Sequence, residues 1–229
     1  MGKTVAGSLK DLHGSCERIL FGFDLARLQA ELQATIAKFP PNMPSASFGG
    51  WSLLSRDGTI GDGWSQGHLA FKKDDGIYKF DDEQGRRLGV TPWVSDYKVR
   101  TPLCEGYFGE VLDAIEAKGL NPRRARVTVI TPGHSTALHV DGPTDAYSAR
   151  LHIPIITNEG CAFEYENEVI HMPADGHGLI VRVNRMHRAR NYGSENRYHI
   201  LMDIYDFQGA TRFNRFDSSK ERLVGWRAG

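Results

Sequence analysis

Cysteine is scarce in this 229-residue chain: Cys16, Cys104 and Cys161 stand far apart, and no two form a CxxC pair. That spacing excludes a disulfide scaffold and a zinc ribbon, and it fits reduced thiols in a cytoplasmic protein. Long apolar runs are missing as well. No stretch reaches the roughly 18 consecutive apolar residues that span a membrane, and Met1 to Gly14 contains no apolar segment of signal-peptide length. The opening Met-Gly does not complete a myristoylation signal, because Ala6 stands where Ser or Thr is required. Excess charge of one sign is absent too, with 28 Lys plus Arg against 28 Asp plus Glu. Without a net positive field nothing holds a phosphate backbone, so no nucleic-acid partner is expected. Repeats and low-complexity tracts are lacking, and 40% apolar with 24% charged residues is the balance of a folded, soluble chain.

What is present divides into two textures. In the first half, residues up to about 22 read as a leader strand or arm. Asp24 is a good helix N-cap, and Leu25, Leu28, Leu32 and Ile36 fall on one face of a helix that Pro40 and Pro41 terminate. A strand is expected at Gly50 to Ser55, an exposed, glycine-punctuated loop at Lys72 to Arg87, and a second helix at Tyr107 to Lys118. Beyond Arg123 come short runs rich in Val, Ile and aromatics: Arg126 to Thr131, Ala149 to Thr157, Gly178 to Asn184 and Tyr198 to Tyr205. Between them Cys161 to Met172 reads as a hairpin with its tip near Glu166-Asn167. Short strands joined by turns indicate an antiparallel sandwich or barrel of jelly-roll type. One domain is expected over 1–229, with support and a candidate lid in 1–122, the barrel in 123–207 and an extension in 208–229.

Most of the nine histidines lie in the strand-rich half. His139 and Asp141 form an H-x-D pair, and residues i and i+2 of a strand face the same way, so both side chains can meet at one point. Well downstream comes His187. Two imidazoles and one carboxylate on one side of a metal leave positions open for a chelating cosubstrate and dioxygen, the facial triad of Fe(II) oxygenases. Arg197 lies ten residues beyond His187, at the start of the last apolar strand. Its planar fork suits a carboxylate. Arg150 and His152 alternate into an otherwise apolar strand, where a cation is costly to bury without an anion to meet.

The stretch Thr128 to Asp203, about a third of the chain, resembles the aspartyl/asparaginyl β-hydroxylase family and its bacterial cis-proline-hydroxylase-like members. The matching pieces are His139-Val140-Asp141, Arg150-Leu151-His152-Ile153-Pro154 followed by Thr157-Asn158, and His171-Met172. They continue through His187 with Asn191, then Arg197-Tyr198-His199-Ile200 and Asp203. The resemblance implies a mainly β protein with supporting helices, a double-stranded β-helix of the cupin-like kind. It implies Fe(II), 2-oxoglutarate and dioxygen, and hydroxylation of an unactivated C–H bond with release of succinate and CO2. Matched residue by residue, His139, Asp141 and His187 are the catalytic metal ligands, and Arg197 grips the distal carboxylate of 2-oxoglutarate. Thr128 assists it, while Arg150 and His152 stand near the cosubstrate's metal-bound end.

Animal protein-modifying members have Gly where this chain has Asp141. The intact triad therefore groups it with the bacterial small-molecule members and points to an amino acid or amino-acid-derived substrate. Trp51 and Arg188 are candidates to line the substrate pocket; a core tryptophan and a solvated arginine face are the alternatives. Arg182, Arg185, Arg188 and Arg190 together read as such a face or as an attractor for a carboxylate-bearing substrate. Three other functions stay open: hydroxylation of a peptide Asp or Asn, a cupin-like metalloenzyme without 2-oxoglutarate, and a non-catalytic binding module that keeps the metal. His134, His171 and His177 are expected not to be ligands. Asn191 is expected to fix the turn after His187, and Asp203 to hold a neighbouring arginine.

Overall fold

The structure, a computed structural model, describes residues 16–62, 71–74, 77–80, 97–139, 149–183 and 185–204. The first half supplies β1 (Cys16–Ile19), α1 (Leu25–Lys38), β2 (Phe48–Ser52), β3 (Leu54–Ser55), β4 (Phe71–Asp74), β5 (Ile77–Phe80), β6 (Val99–Arg100) and α2 (Tyr107–Ala117). Eight strands follow: β7 (Pro122–Ile130), β8 (His134–Ser135), β9 (Ala149–Ile156), β10 (Cys161–Tyr165), β11 (Glu168–Ile170), β12 (Gly178–Arg182), β13 (His187–Asn191) and β14 (Arg197–Ile204).

Asp24 caps α1 as expected, its side chain accepting from Arg27 N, and Phe39 closes the helix ahead of the two prolines. The buried stripe is Leu28, Leu32 and Thr35. Ile36, expected on that face, is 37% exposed. At 100° per residue it falls at the rim of the stripe, while Thr35 lies within it and returns its hydroxyl to Glu31 O. The segment read as loop from Lys72 holds an antiparallel ladder, β4 with β5, in which Asp74 faces Ile77. Its sequence signal was the Asp75-Gly76 pair between Phe71-Lys72-Lys73-Asp74 and Ile77-Tyr78-Lys79-Phe80. The remainder of that segment, the arm before Cys16 and the extension 208–229 lie outside the described residues.

One sheet runs β1-β12-β9-β14-β7-β2 and a second runs β11-β10-β13-β8. Apart from the β10–β11 hairpin, the chain from β7 to β14 changes sheet at every connection, so two antiparallel ladders wind around one interior. That is a double-stranded β-helix. Strand β14 explains how both faces of the larger sheet are used, since all of its residues are buried. Tyr198, Ile200, Met202 and Ile204 join the cluster built with Leu28, Leu32, Phe108, Leu112 and Ile115 of the helices. Arg197, His199, Leu201 and Asp203 alternate to the opposite face, the interior between the sheets. The interior's apolar part is Ile130, Phe163, Tyr165, Met172, Leu179, Val181, Val183 and Ala189. Pro154 interrupts a central strand without an N–H to give, and it falls where the β9–β14 register slips between Tyr198 and His199.

Candidate active site

His139, between β8 and β9, and His187, which opens β13, meet through an isolated antiparallel bridge. Each donates its N–H to the other's carbonyl, at 3.0 and 2.9 Å. That exchange defines a close-facing pair of residues, and it sets the two imidazole centroids 4.5 Å apart. Each ring is then oriented by its own backbone: His139 Nδ1 lies 2.6 Å from Ala137 O and His187 Nδ1 lies 2.7 Å from Arg185 O. A carbonyl can only accept, so Nδ1 carries the proton and Nε2 is the nitrogen able to ligate a metal. His187 is buried and His139 half-buried, as suits a site reached from outside. Asp141, the expected third ligand, lies outside the described residues. Among the described residues no group of three or more His, Cys, Asp or Glu is arranged to hold a metal.

From this pair a row of rings crosses the interior. Phe163 stacks on His187 at 5.0 Å, and Tyr165 meets the same imidazole at 6.4 Å. The far edge of Phe163 meets His152 at 5.5 Å, and His152 meets His199 edge-on at 5.8 Å. His199 Nδ1 lies 2.9 Å from Arg197 Nη2. Phe163 and Tyr165 carried no functional reading in the sequence; their signal was the inward phase of β10.

Arg197 is 2% exposed and forms no ion pair among the described residues. Burial lowers its guanidinium from 12.5 to about 10, with Cys161 acting in the other direction, so it stays charged at neutral pH. A buried cation lacking an anion is an arrangement that a bound carboxylate would complete. Asp203 on the same strand is not its partner: both oxygens of that carboxylate are taken, by Arg150 Nε at 2.7 Å and Arg124 Nε at 2.8 Å. Asp203 thus holds arginines in place, as its position suggested. Arg124 reaches it from a left-handed backbone, φ 46, where the β7–β14 register slips between Leu201 and Asp203. Thr128 stands opposite His199 and donates its hydroxyl to His199 O at 3.1 Å.

Two expected substrate residues lie elsewhere. Trp51 is 1% exposed within the helix-side cluster, its indole N–H on Phe39 O. Its partner across the ladder is Val127, which shares that outer face, so Trp51 does not line the interior. Arg188 follows His187 by one residue, and strand alternation sends it to the opposite face, where it binds Glu164 at 2.6 Å. Arg190 joins the same carboxylate.

Three further histidines among the described residues have structural partners. His177 Nδ1 accepts from Phe21 N and Gly22 N, His134 binds within its own turn, and His171 lies on Cys161 O. Asn191 ties Ile130 O to Glu195 O and fixes the turn after β13.

The donor set fits a hard-to-borderline divalent metal: two imidazoles with set tautomers, plus a cation deep in the interior for the far end of a chelating acid. Residues 101–206 match the family described as Aspartyl/Asparaginyl beta-hydroxylase, which covers the whole stretch on which the sequence resemblance rests. That match supports an enzyme of hydroxylase type. No curated protein matches the chain. Among solved structures, an oxidoreductase of the 2OG-Fe(II) oxygenase family from Burkholderia pseudomallei is 15% identical with a TM-score of 0.46, covering 90% of this chain and 91% of its own. A viral collagen prolyl hydroxylase from Paramecium Bursaria Chlorella virus-1 is 12% identical, TM-score 0.45, covering 84% and 96%. A prolyl-4-hydroxylase from Pseudomonas putida is 11% identical, TM-score 0.45, covering 87% and 97%.

Proposed function

With the aspartyl/asparaginyl β-hydroxylase match of residues 101–206 as premise, we propose that the chain is an Fe(II)- and 2-oxoglutarate-dependent dioxygenase. It hydroxylates an unactivated C–H of an amino acid or an amino-acid-derived small molecule. The observation that carries this reading is the row of rings linking a facing imidazole pair to a buried arginine that meets no carboxylate among the described residues.

His139 and His187 hold the metal through Nε2, with Asp141 as the carboxylate ligand the sequence provides. When bound, Fe(II) with 2-oxoglutarate and dioxygen supplies the oxidising chemistry, and succinate and CO2 are the coproducts. Arg197 neutralises the distal carboxylate. Arg150, steadied by Asp203, and His152 serve the end nearer the metal. Phe163 and Tyr165 pack against His187 and keep water from that side of the site. The need for an anion opposite Arg197 favours this chemistry over a cupin-like metalloenzyme without 2-oxoglutarate. The amino-acid substrate rests on Asp141, which separates this chain from the protein-modifying members.

Purified protein with Fe(II), ascorbate and 2-oxoglutarate, given a panel of amino acids under air, should form succinate only when a substrate is present. His187→Ala should abolish metal binding and turnover, whereas His177→Ala should leave both intact. No succinate with any candidate, together with no visible band on anaerobic addition of Fe(II) and 2-oxoglutarate, would overturn the reading.

A further inference from the structure

The chemistry of His199 is decided by its neighbour. A guanidinium donates and never accepts, so at 2.9 Å from Arg197 Nη2 the Nδ1 of His199 must be the acceptor. Burial first, then the charges of Arg197, His152 and His171, hold this imidazole well below its ordinary 6.5 and therefore neutral. A neutral ring with Nδ1 accepting carries its one proton on Nε2. That Nε2 is buried and has no hydrogen-bond partner among the described residues, and the residue is 1% exposed. Among the described residues the interior thus contains two adjacent deficits: a cation without an anion and an N–H donor without an acceptor. One water satisfies the second but not the first. A carboxylate, with two oxygens and a negative charge, satisfies both.

We propose that His199 is a second anion-binding residue, its Nε2–H donating to the distal carboxylate of the dicarboxylate cosubstrate beside Arg197. Strand alternation puts both side chains on the inward face of β14, and the bond from Thr128 Oγ1 to His199 O fixes the backbone between them. The ring stands edge-on to His152, in line with Phe163 and the metal-ligand pair. Nothing in the sequence distinguishes His199 from a structural strand histidine; the assignment comes from its tautomer. It rests on the 2-oxoglutarate reading above and extends it to a residue that reading does not use.

Two variants separate donation to a ligand from mere support of Arg197. His199→Asn keeps an acceptor near the Nδ1 position but has no donor at Nε2; His199→Gln places a donor near Nε2 instead. Calorimetry is run anaerobically on the full chain with Fe(II), using 2-oxoglutarate and 2-oxobutyrate, which lacks the distal carboxylate. His199→Asn should weaken 2-oxoglutarate binding by about tenfold or more, His199→Gln should recover most of it, and 2-oxobutyrate binding should be unaffected in both. Equal binding by His199→Asn and the parent, or an equal loss for both acids, overturns the proposal. Should the variants not fold, ¹⁵N-histidine NMR of the parent with Zn(II) decides. The His199 Nε2–H must move downfield with 2-oxoglutarate and not with 2-oxobutyrate, and an unmoved signal overturns the assignment. A parent protein that binds no 2-oxoglutarate at all sinks the proposed function and this inference with it.

Discussion

Asp203 is a carboxylate with no exposed surface and an arginine on each oxygen. Two cations around one anion tolerate its removal badly, because each is left desolvated and underpaired. Asp203→Ala should cost about 3–5 kcal/mol, read as a lower urea midpoint at unchanged slope. A loss below about 1 kcal/mol would mean that water already reaches the pair. Single residues are also where sequence reading succeeded and failed most sharply. The sequence singled out His139 and His187 by residue type and order and Arg197 by its planar fork, and the structure sets the two imidazoles face to face and buries the arginine. One step of alternation turns Arg188 away from the interior, and the helices decide that Trp51 joins the outer cluster, in line with the solvated-face and core-tryptophan alternatives. His199 needed an atom-level contact, because only a neighbour's donors reveal which nitrogen of an imidazole holds the proton.

Among elements, the sequence hid β13 as it hid the β4–β5 ladder. His187-Arg188-Ala189-Arg190-Asn191 reads as a charged, solvated stretch, yet its burial alternates strictly, with the arginines outside. They are secured by Glu164 of β10, directly across the ladder from Arg188. Partial desolvation works against this carboxylate's charge, but the hydrogen bonds from Arg188 and Arg190 outweigh it and hold its pKa below the usual 4.5. A carboxyl depressed in the folded state adds stability that is present above its unfolded pKa and lost as pH falls through the folded one. Glu164→Gln should therefore cost about 0.5–1 kcal/mol at pH 7, and the gap should close as pH falls through the depressed pKa. Thermal midpoints from pH 7 downward check it; a gap that widens toward acid would contradict the sign. Beyond Arg123, β7, β9, β12, β14 and the β10–β11 hairpin were seen in advance, from runs of Val, Ile and aromatics split by turns.

At the scale of the molecule, two apolar clusters lie on either side of one sheet, one toward the helices and one between the ladders. Two thiols report on the edges of this assembly. Cys16 lies on the outermost strand, β1, where burial first and then Glu168 and Glu17 push it up to about 11. Cys104 is raised to about 11 mainly by burial, its Sγ on Leu53 O. At pH 8 roughly one thiol in a thousand is then thiolate. Alkylation of both, mapped by mass spectrometry, should be at least about tenfold slower than in urea and should accelerate toward pH 11. Rapid labelling of Cys16 alone would mean that β1 leaves the sheet independently. No helix among the described residues is long and apolar enough to cross a membrane.

The sequence by itself determined what depends on residue type and local period. It specified a β-rich second half, a capped α1, a hairpin turning at Glu166-Asn167, a pair of histidines at ligand spacing and an arginine suited to a carboxylate. Periodicity is a local property, and so is the chemistry of a side chain. Only the tertiary structure decided which strands are neighbours, and that depends on contacts between residues far apart in the chain. The bridge that brings His139 to His187 is one such contact, and the assignment of Asp203 to Arg150 and Arg124 is another. That Arg197 beside His199 meets no carboxylate among the described residues follows from them, since pairing of a buried charge depends on which strands lie beside it.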